Sequence, residues 1–307
     1  MKELVLLSGA SGLIGSALRK ELTDGGWDCR QLVRRKGQVP GEVEWGGGRG
    51  AGPDVAALGE PEVAIHLSGA GIADQRWTAA RKKLILDSRI DSTRALVDVL
   101  GRLEKKPRLL ICASAIGIYG DRGDEVLDEG SAHGTGFLPE TCERWEAAAA
   151  EAAKAGIRVI SARFGIVLAQ QGGAMARMLP IFRMGLGGPL GSGRQWMSWV
   201  SVRDTVRALA YLAGTALEGA GDAPAVEAVN VVAPHPVTNA EFTRELGRAL
   251  HRPAFLPAPA FALRLAFGEM ADAALLASTR VLPKRLEEKG FRFEDATLGK
   301  AFSSASL

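Results

Sequence analysis

Residues 4–15 read Leu-Val-Leu-Leu-Ser-Gly-Ala-Ser-Gly-Leu-Ile-Gly, and the fold turns on this stretch. The apolar run at 4–7 predicts a buried strand. Leu13, Ile14, Ala17, Leu18 and Leu22 then recur at helical spacing until Gly25 and Gly26 stop them. Between strand and helix lies a GxxGxxG turn made by Gly9, Gly12 and Gly15. In such a turn the first glycine allows the tight bend, the second lets the backbone approach a pyrophosphate, and the third lets helix and strand pack closely. The free amides at the helix start then face the anion. Strand, triplet and amphipathic helix together predict a dinucleotide-binding βαβ unit, with Gly9, Ser11, Gly12, Leu13, Ile14 and Gly15 as its contacts. A glycine turn without a ligand is the alternative reading.

Working outward, a second strand at 30–33 ends on Arg34-Arg35-Lys36. An acid at this place would hold a ribose 2′-hydroxyl; three cations suit a 2′-phosphate instead, so Arg34 and Arg35 point to NADP(H). An ordinary basic loop would look the same. Further strands are expected at 43–45, 63–67, 109–113 and 157–163, with helices at 78–87, 91–103 and 140–155. Strands alternating with helices imply an α/β fold: a doubly wound Rossmann sheet, parallel and covered on both faces. The second half is less regular. Glycine-rich loops at 172–193 surround a helix near 175–184, a strand is expected at 196–202, and a helix starts near Asp204. Thr238 to Glu241 form a capping box opening a helix to about residue 251. A proline-stiffened connector at 253–259 leads to helical spacing at 261–276 and near 283–289.

Composition narrows the function classes. A net charge of +3 with scattered basic residues does not suggest nucleic-acid or membrane binding. No apolar stretch is long enough to span a bilayer, and residues 1–12 read as a strand rather than a signal peptide. Cys29, Cys112 and Cys142 are far apart and odd in number, which suits a reducing compartment and a cytoplasmic location. His66, His133, His235 and His251 stand at no ligand spacing, so no metal site is expected.

Several stretches carry a family resemblance. They are SGASGLIG (8–15), HLSGAGIADQRW (66–77), DSRIDSTRAL (87–96), SAIGIYGDRGDE (114–125), RFGIVLAQQGGA (163–174) and GLGGPLGSGRQWMSWV (185–200), with TNAEF (238–242) and the segment 252–271 extending the match. Through them the chain resembles the extended short-chain dehydrogenase/reductases, and among these the atypical branch of epimerase family proteins related to NAD-dependent epimerases and dehydratases. The resemblance implies a Rossmann domain over 1–170, with 195–235 returning to it. It implies a smaller substrate lobe over 171–194 and 236–307. It places Leu67, Ser68 and Gly69 beside the adenosine and pyrophosphate half of the cofactor, Arg89 within reach of it, and Arg163 to Val167 near the nicotinamide.

One departure matters. Typical members use a Tyr-x-x-x-Lys pair in which lysine lowers the tyrosine pKa. The only tyrosines are Tyr119 and Tyr211, followed four places on by Gly123 and Thr215. On the helix that should carry the pair, Cys142 and Glu146 hold the spacing. The usual serine position is Ala115, with Ser114 one place before it. Ser114 and Tyr119 remain as catalytic candidates, with Glu140 and the acidic loop Asp121, Asp124, Glu125, Asp128 and Glu129 behind them; a solvated turn is the plainer reading of that loop. Arg183, Arg194 and Trp196 could meet an unknown small-molecule substrate, and Trp199 could wall a pocket or pack one lobe on the other. Two functions stay open: an NADP(H)-dependent oxidoreductase or epimerase of unusual mechanism, and a non-catalytic NADP(H)-binding regulator or sensor. Plant and cyanobacterial relatives of the branch tie the latter to cell division.

Overall fold

Valine, leucine, isoleucine and alanine fill the central strands in unbroken runs, and side chains buried on both faces require a sheet covered on both sides. The computed structural model describes residues 2–46, 52–215, 217 and 224–305. In chain order the elements are β1 (Leu4–Ser8), α1 (Leu13–Asp24), β2 (Asp28–Val33), β3 (Glu42–Glu44), α2 (Val55–Leu58), β4 (Val63–His66), α3 (Ala79–Arg102) and β5 (Leu109–Ala115). Next come β6 (Val126–Leu127), α4 (Phe137–Ala150), β7 (Arg158–Phe164), β8 (Ile166–Leu168), α5 (Gly173–Arg183), β9 (Trp196–Met197), β10 (Trp199–Ser201), α6 (Val202–Thr215) and β11 (Val226–Val231). β12 (Val237–Thr238), α7 (Asn239–Ala249), α8 (Ala260–Phe267), β13 (Arg280–Val281), α9 (Lys284–Glu288) and α10 (Leu298–Ser304) follow.

Seven parallel strands form one sheet in the order β3-β2-β1-β4-β5-β7-β11. The order reverses between β1 and β4, so a crevice opens there at the carboxyl ends of the strands. This is the doubly wound arrangement that the alternation predicts. Leu18 and Leu22 of α1 are fully buried against it, each contributing about 1.5–3 kcal/mol over an exposed position. A second apolar cluster gathers Leu168, Met175, Phe182, Trp199, Phe242 and Phe302 from α5, α7, α10 and the segments beside them.

Three expectations are corrected, and one strand lies where none was expected. The helices foreseen at 78–87 and 91–103 are one helix, α3. No glycine or proline interrupts 87–91, and Ser88 and Ser92 satisfy their hydroxyls on the carbonyls of Ile85 and Ser88. The strand foreseen at 196–202 is split at Ser198, whose hydroxyl donates to Thr279 O and accepts from Val281 N. β9 therefore pairs with β12, and β10 with β8. The helix foreseen at 261–276 stops at Phe267, because Gly268 takes φ +62°. Finally, β11 was not foreseen at all. It carries the buried Glu227, which pairs with Arg158 and Lys289 and breaks the apolar pattern.

Candidate functional site

The glycine turn is enforced by backbone crowding. Gly9 sits at φ +74°, and a Cβ there would lie 2.8 Å from the carbonyl carbon of Leu67. A Cβ on Gly15 would lie 2.1 Å from the Gly9 carbonyl oxygen. The amide of Gly12 closes the turn on that same oxygen at 3.0 Å. α1 begins without a side-chain cap and without an acid in its first turn, so its amides at Leu13 and Ile14 keep their affinity for an anion. Ser11 and Gly12 are exposed, and Leu13 and Ile14 half-buried.

Beneath the turn lies a polar pin that the sequence reading missed. Ser8 Oγ is 2.6 Å from His66 Nδ1, and His66 Nε2 is 3.2 Å from Ser92 Oγ. Because Ser92 donates to Ser88 O at 2.7 Å, it accepts from Nε2–H, and Ser8 donates to Nδ1. Burial lowers the His66 pKa to about 4, so the ring is neutral and ties β1, β4 and α3 together at the crevice.

The two predicted phosphate cations differ. Arg35 is engaged, making two 2.7 Å bonds to Glu42, and holds that carboxyl, with the Gln38 amide, down at about 2. Arg34 is exposed and has no ion-pair partner among the described residues. Leu67, Ser68 and Gly69 follow β4 against the turn, and Gly69 faces Arg89: a Cβ there would lie 3.4 Å from its Cζ. Arg89 donates to the carbonyls of Ala70 and Ile85 at 3.0 Å and stacks 5.0 Å over Trp145. Burial lowers its pKa, and it pairs with no carboxylate among the described residues. Val167, half-buried on β8, comes near the turn through Gly173, whose Cβ would lie 3.1 Å from Leu13 and 3.6 Å from Val167 O.

Farther along the strand ends, register builds a second polar cluster. Ser114, Arg163 and Asn230 are neighbours across β5, β7 and β11 and so share one face. Ser114 Oγ donates to Glu146 at 2.6 Å, and Arg163 makes two 2.8 Å bonds to that carboxylate. Arg163 also donates to the Tyr119 hydroxyl at 3.0 Å and reaches His133 Nε2 at 3.2 Å. Tyr119 in turn donates to Asn230 Oδ1 at 2.8 Å. Burial opposes the Arg163 charge, but the Glu146 carboxylate outweighs it and holds the guanidinium above its ordinary pKa. The Arg163 guanidinium turns inward to Glu146 and Tyr119, because register puts it on the α4 face. Tyr119 is fully buried, and burial raises its pKa against the opposing pull of Arg163. Cys142 is buried, and its thiol is pushed up to about 11.

In the acidic loop Asp121, Asp124 and Glu125 are exposed and Asp128 is half-buried, whereas Glu129 is drawn inside. Glu129 is buried and accepts from the amides of Asn230 and Arg285; Asp121 and Asp128 bind Ser278 and Lys284. Asp124 accepts from Trp196 Nε1 at 2.8 Å, and Arg280 covers the Trp196 ring at 4.2 Å. Trp199 is fully buried in the second cluster. Arg183 ends α5, at the opposite end from Gly173, which touches the turn. Asn230 escaped the sequence reading because its strand did. Glu146 was visible only as a spacing, and its partnership with Arg163 is a product of register.

A family model described as "NAD dependent epimerase/dehydratase family" matches residues 5–223, and one described as "Domain of unknown function (DUF1731)" matches residues 258–305. An epimerase family protein of Mycobacterium tuberculosis (strain CDC 1551 / Oshkosh) is 43% identical, covering 99% of this chain and 97% of its own. The crystal structure of human epimerase family protein SDR39U1 (isoform2) with NADPH superposes with a TM-score of 0.86 at 31% identity, covering 99% of both chains. A nucleoside-diphosphate sugar epimerase from Corynebacterium glutamicum superposes with a TM-score of 0.76 at 31% identity, covering 99% of this chain and 58% of its own. The chain belongs to the NAD dependent epimerase/dehydratase family.

Proposed function

We propose that this chain is an NADP(H)-dependent oxidoreductase or epimerase that handles a small-molecule substrate without the Tyr-x-x-x-Lys pair. One observation carries the cofactor half: a glycine turn with uncapped helix amides stands beside two cations, Arg34 and Arg89, that have no carboxylate partner among the described residues. The amides and Arg89 suit the pyrophosphate, and Arg34 the 2′-phosphate. The NADPH in the human relative's structure supports the same choice. When bound, the cofactor supplies the hydride acceptor or donor. The chain's own residues hold it, and the Ser114 hydroxyl, oriented by Glu146, is one of the polar groups at the strand ends. Segments 171–194 and 236–307 form the substrate lobe in this reading, with Trp196 on its wall. Three unpaired cysteines and the absence of any helix long and apolar enough to cross a membrane among the described residues support a cytoplasmic setting.

A second reading, a NADP(H)-binding regulator or sensor, is favoured by the Glu146–Arg163 ion pair, which occupies the carboxylate standing at the lysine position. Fluorescence titration with NADPH and NADH tests the cofactor assignment. Arg34→Ala is expected to weaken NADPH by about 1.5–3 kcal/mol, a tenfold loss or more, and to leave NADH unchanged. Arg35→Ala is expected to do less, because Arg35 already has Glu42. Equal binding of both cofactors, or none, rejects the assignment.

A further inference from the structure

α5 begins beside Leu13 of the turn and α7 beside Trp196, and their far ends meet. Each has eleven residues and so runs about 16 Å. Where they meet is a surface hollow of about 500 Å³, lined by Arg244, Gly247, Arg248, His251, Arg252 and Phe255. Its floor depends on Gly247. A Cβ there would lie 2.7 Å from Ala254 Cβ and 2.9 Å from Arg252 O, so the returning chain can lie on the helix only over a glycine.

The rim is cationic beyond what the helix needs. Basic groups in a last turn ordinarily answer the helix's own carbonyls. Among the described residues Glu245 is the one carboxylate paired there, with Arg248 at 2.8 Å and Arg244 at 3.6 Å. Arg252 has no carboxylate partner among the described residues. Carbonyl oxygens of Arg183 and His251, at 3.0 and 3.4 Å, hold its guanidinium in place. His251 takes φ +52°, the one positive φ outside glycine among the described residues. It is the left-handed residue that ends α7: its amide bonds Arg248 O at 3.1 Å and the Arg252 amide bonds Gly247 O at 2.9 Å, which fixes Arg252 and Phe255 over the helix end. On the lip, Phe255 leaves 72% of its surface exposed.

We infer that this hollow binds a nucleoside phosphate: the phosphates lie on Arg248 and Arg252, and the base or sugar lies on Phe255. Guanidinium groups favour phosphate through paired, charge-assisted bonds, and an exposed ring offers a stacking face. The site is separate from the crevice and does not depend on what the crevice holds.

Calorimetric titration of the full chain with ATP, pyrophosphate and adenosine tests it. Wild type is expected to bind ATP. Arg248→Ala/Arg252→Ala should weaken it more than about tenfold, as loss of a charge-assisted phosphate contact requires. Arg34→Ala/Arg35→Ala, which alters only the crevice, should leave this binding in place. Phe255→Ala should weaken ATP and spare pyrophosphate. If the double variant does not fold, Arg248→Glu repeats the test, since that side chain is 69% exposed. Absence of ATP binding by wild type overturns the inference. So does loss of ATP binding in the Arg34/Arg35 variant alone, or ATP that binds no more tightly than pyrophosphate.

Discussion

The glycine turn at 8–15 and the paired positions Cys142 and Glu146 both serve the carboxyl end of the sheet, but they hold their form by opposite means. At the turn, backbone closeness excludes side chains, so residue type follows from space: Gly9 and Gly15 stand where a Cβ would meet carbonyl atoms. At Cys142 and Glu146 there is room for many side chains, and what occupies them depends on partners. Glu146 has acquired Arg163 and Ser114, and Cys142 is sealed in an apolar cluster. A motif set by sterics keeps its residues, whereas a motif set by chemistry can keep its spacing and change its use.

The largest expected effect tests the second half of that contrast. Glu146→Ala leaves the Arg163 guanidinium buried without a counter-charge, and should cost about 3–5 kcal/mol in urea unfolding. A cost under about 1 kcal/mol would mean that the ion pair contributes no more than a surface bridge. Gly15→Ala probes the first half. The added methyl must push the Gly9 backbone aside, so stability should fall by about 3 kcal/mol and NADPH binding should go with it. Normal binding by this variant would break the steric account.

The pin under the turn predicts acid sensitivity. His66 is lowered from 6.5 to about 4 by burial, so the unfolded chain takes up its proton first as pH falls. Stability present above pH 6.5 is therefore lost between 6.5 and about 4, to a total of about 3 kcal/mol at 1.36 kcal/mol per unit. His66→Gln, unfolded in parallel across that range, should show a flatter pH dependence; an equal slope would remove His66 as the source. The smallest effect is at the capping box: Thr238→Ala should cost about 1 kcal/mol, and should leave NADPH binding alone if α7 stands apart from the cofactor.

Much of the fold was legible because its signals are local. Residues 4–24 carry strand, turn and helix in unbroken order, and the capping box at Thr238 and Glu241 forms as spaced. Two of the misses share one cause. β11 is a strand whose Glu227 is neutralised by Arg158 and Lys289, 69 and 62 residues away, and Ser198 interrupts a strand by bonding the chain near Val281. Only distant partners make these side chains acceptable where they stand, and a window of sequence contains none of them.

By itself the sequence determined the Rossmann sheet, the place of the nucleotide turn, the loss of the Tyr-x-x-x-Lys pair and the cationic end of β2. These follow from periodicity, from glycine's freedom of φ and from residue identity, all of which are local. Only the tertiary structure decided which cations remain unpaired. Arg35 meets Glu42, Arg163 meets Glu146, and among the described residues Arg34 and Arg89 meet no acid. Charge pairing depends on distance in space, and strand register and crossover helices, not chain spacing, bring such groups within three ångströms.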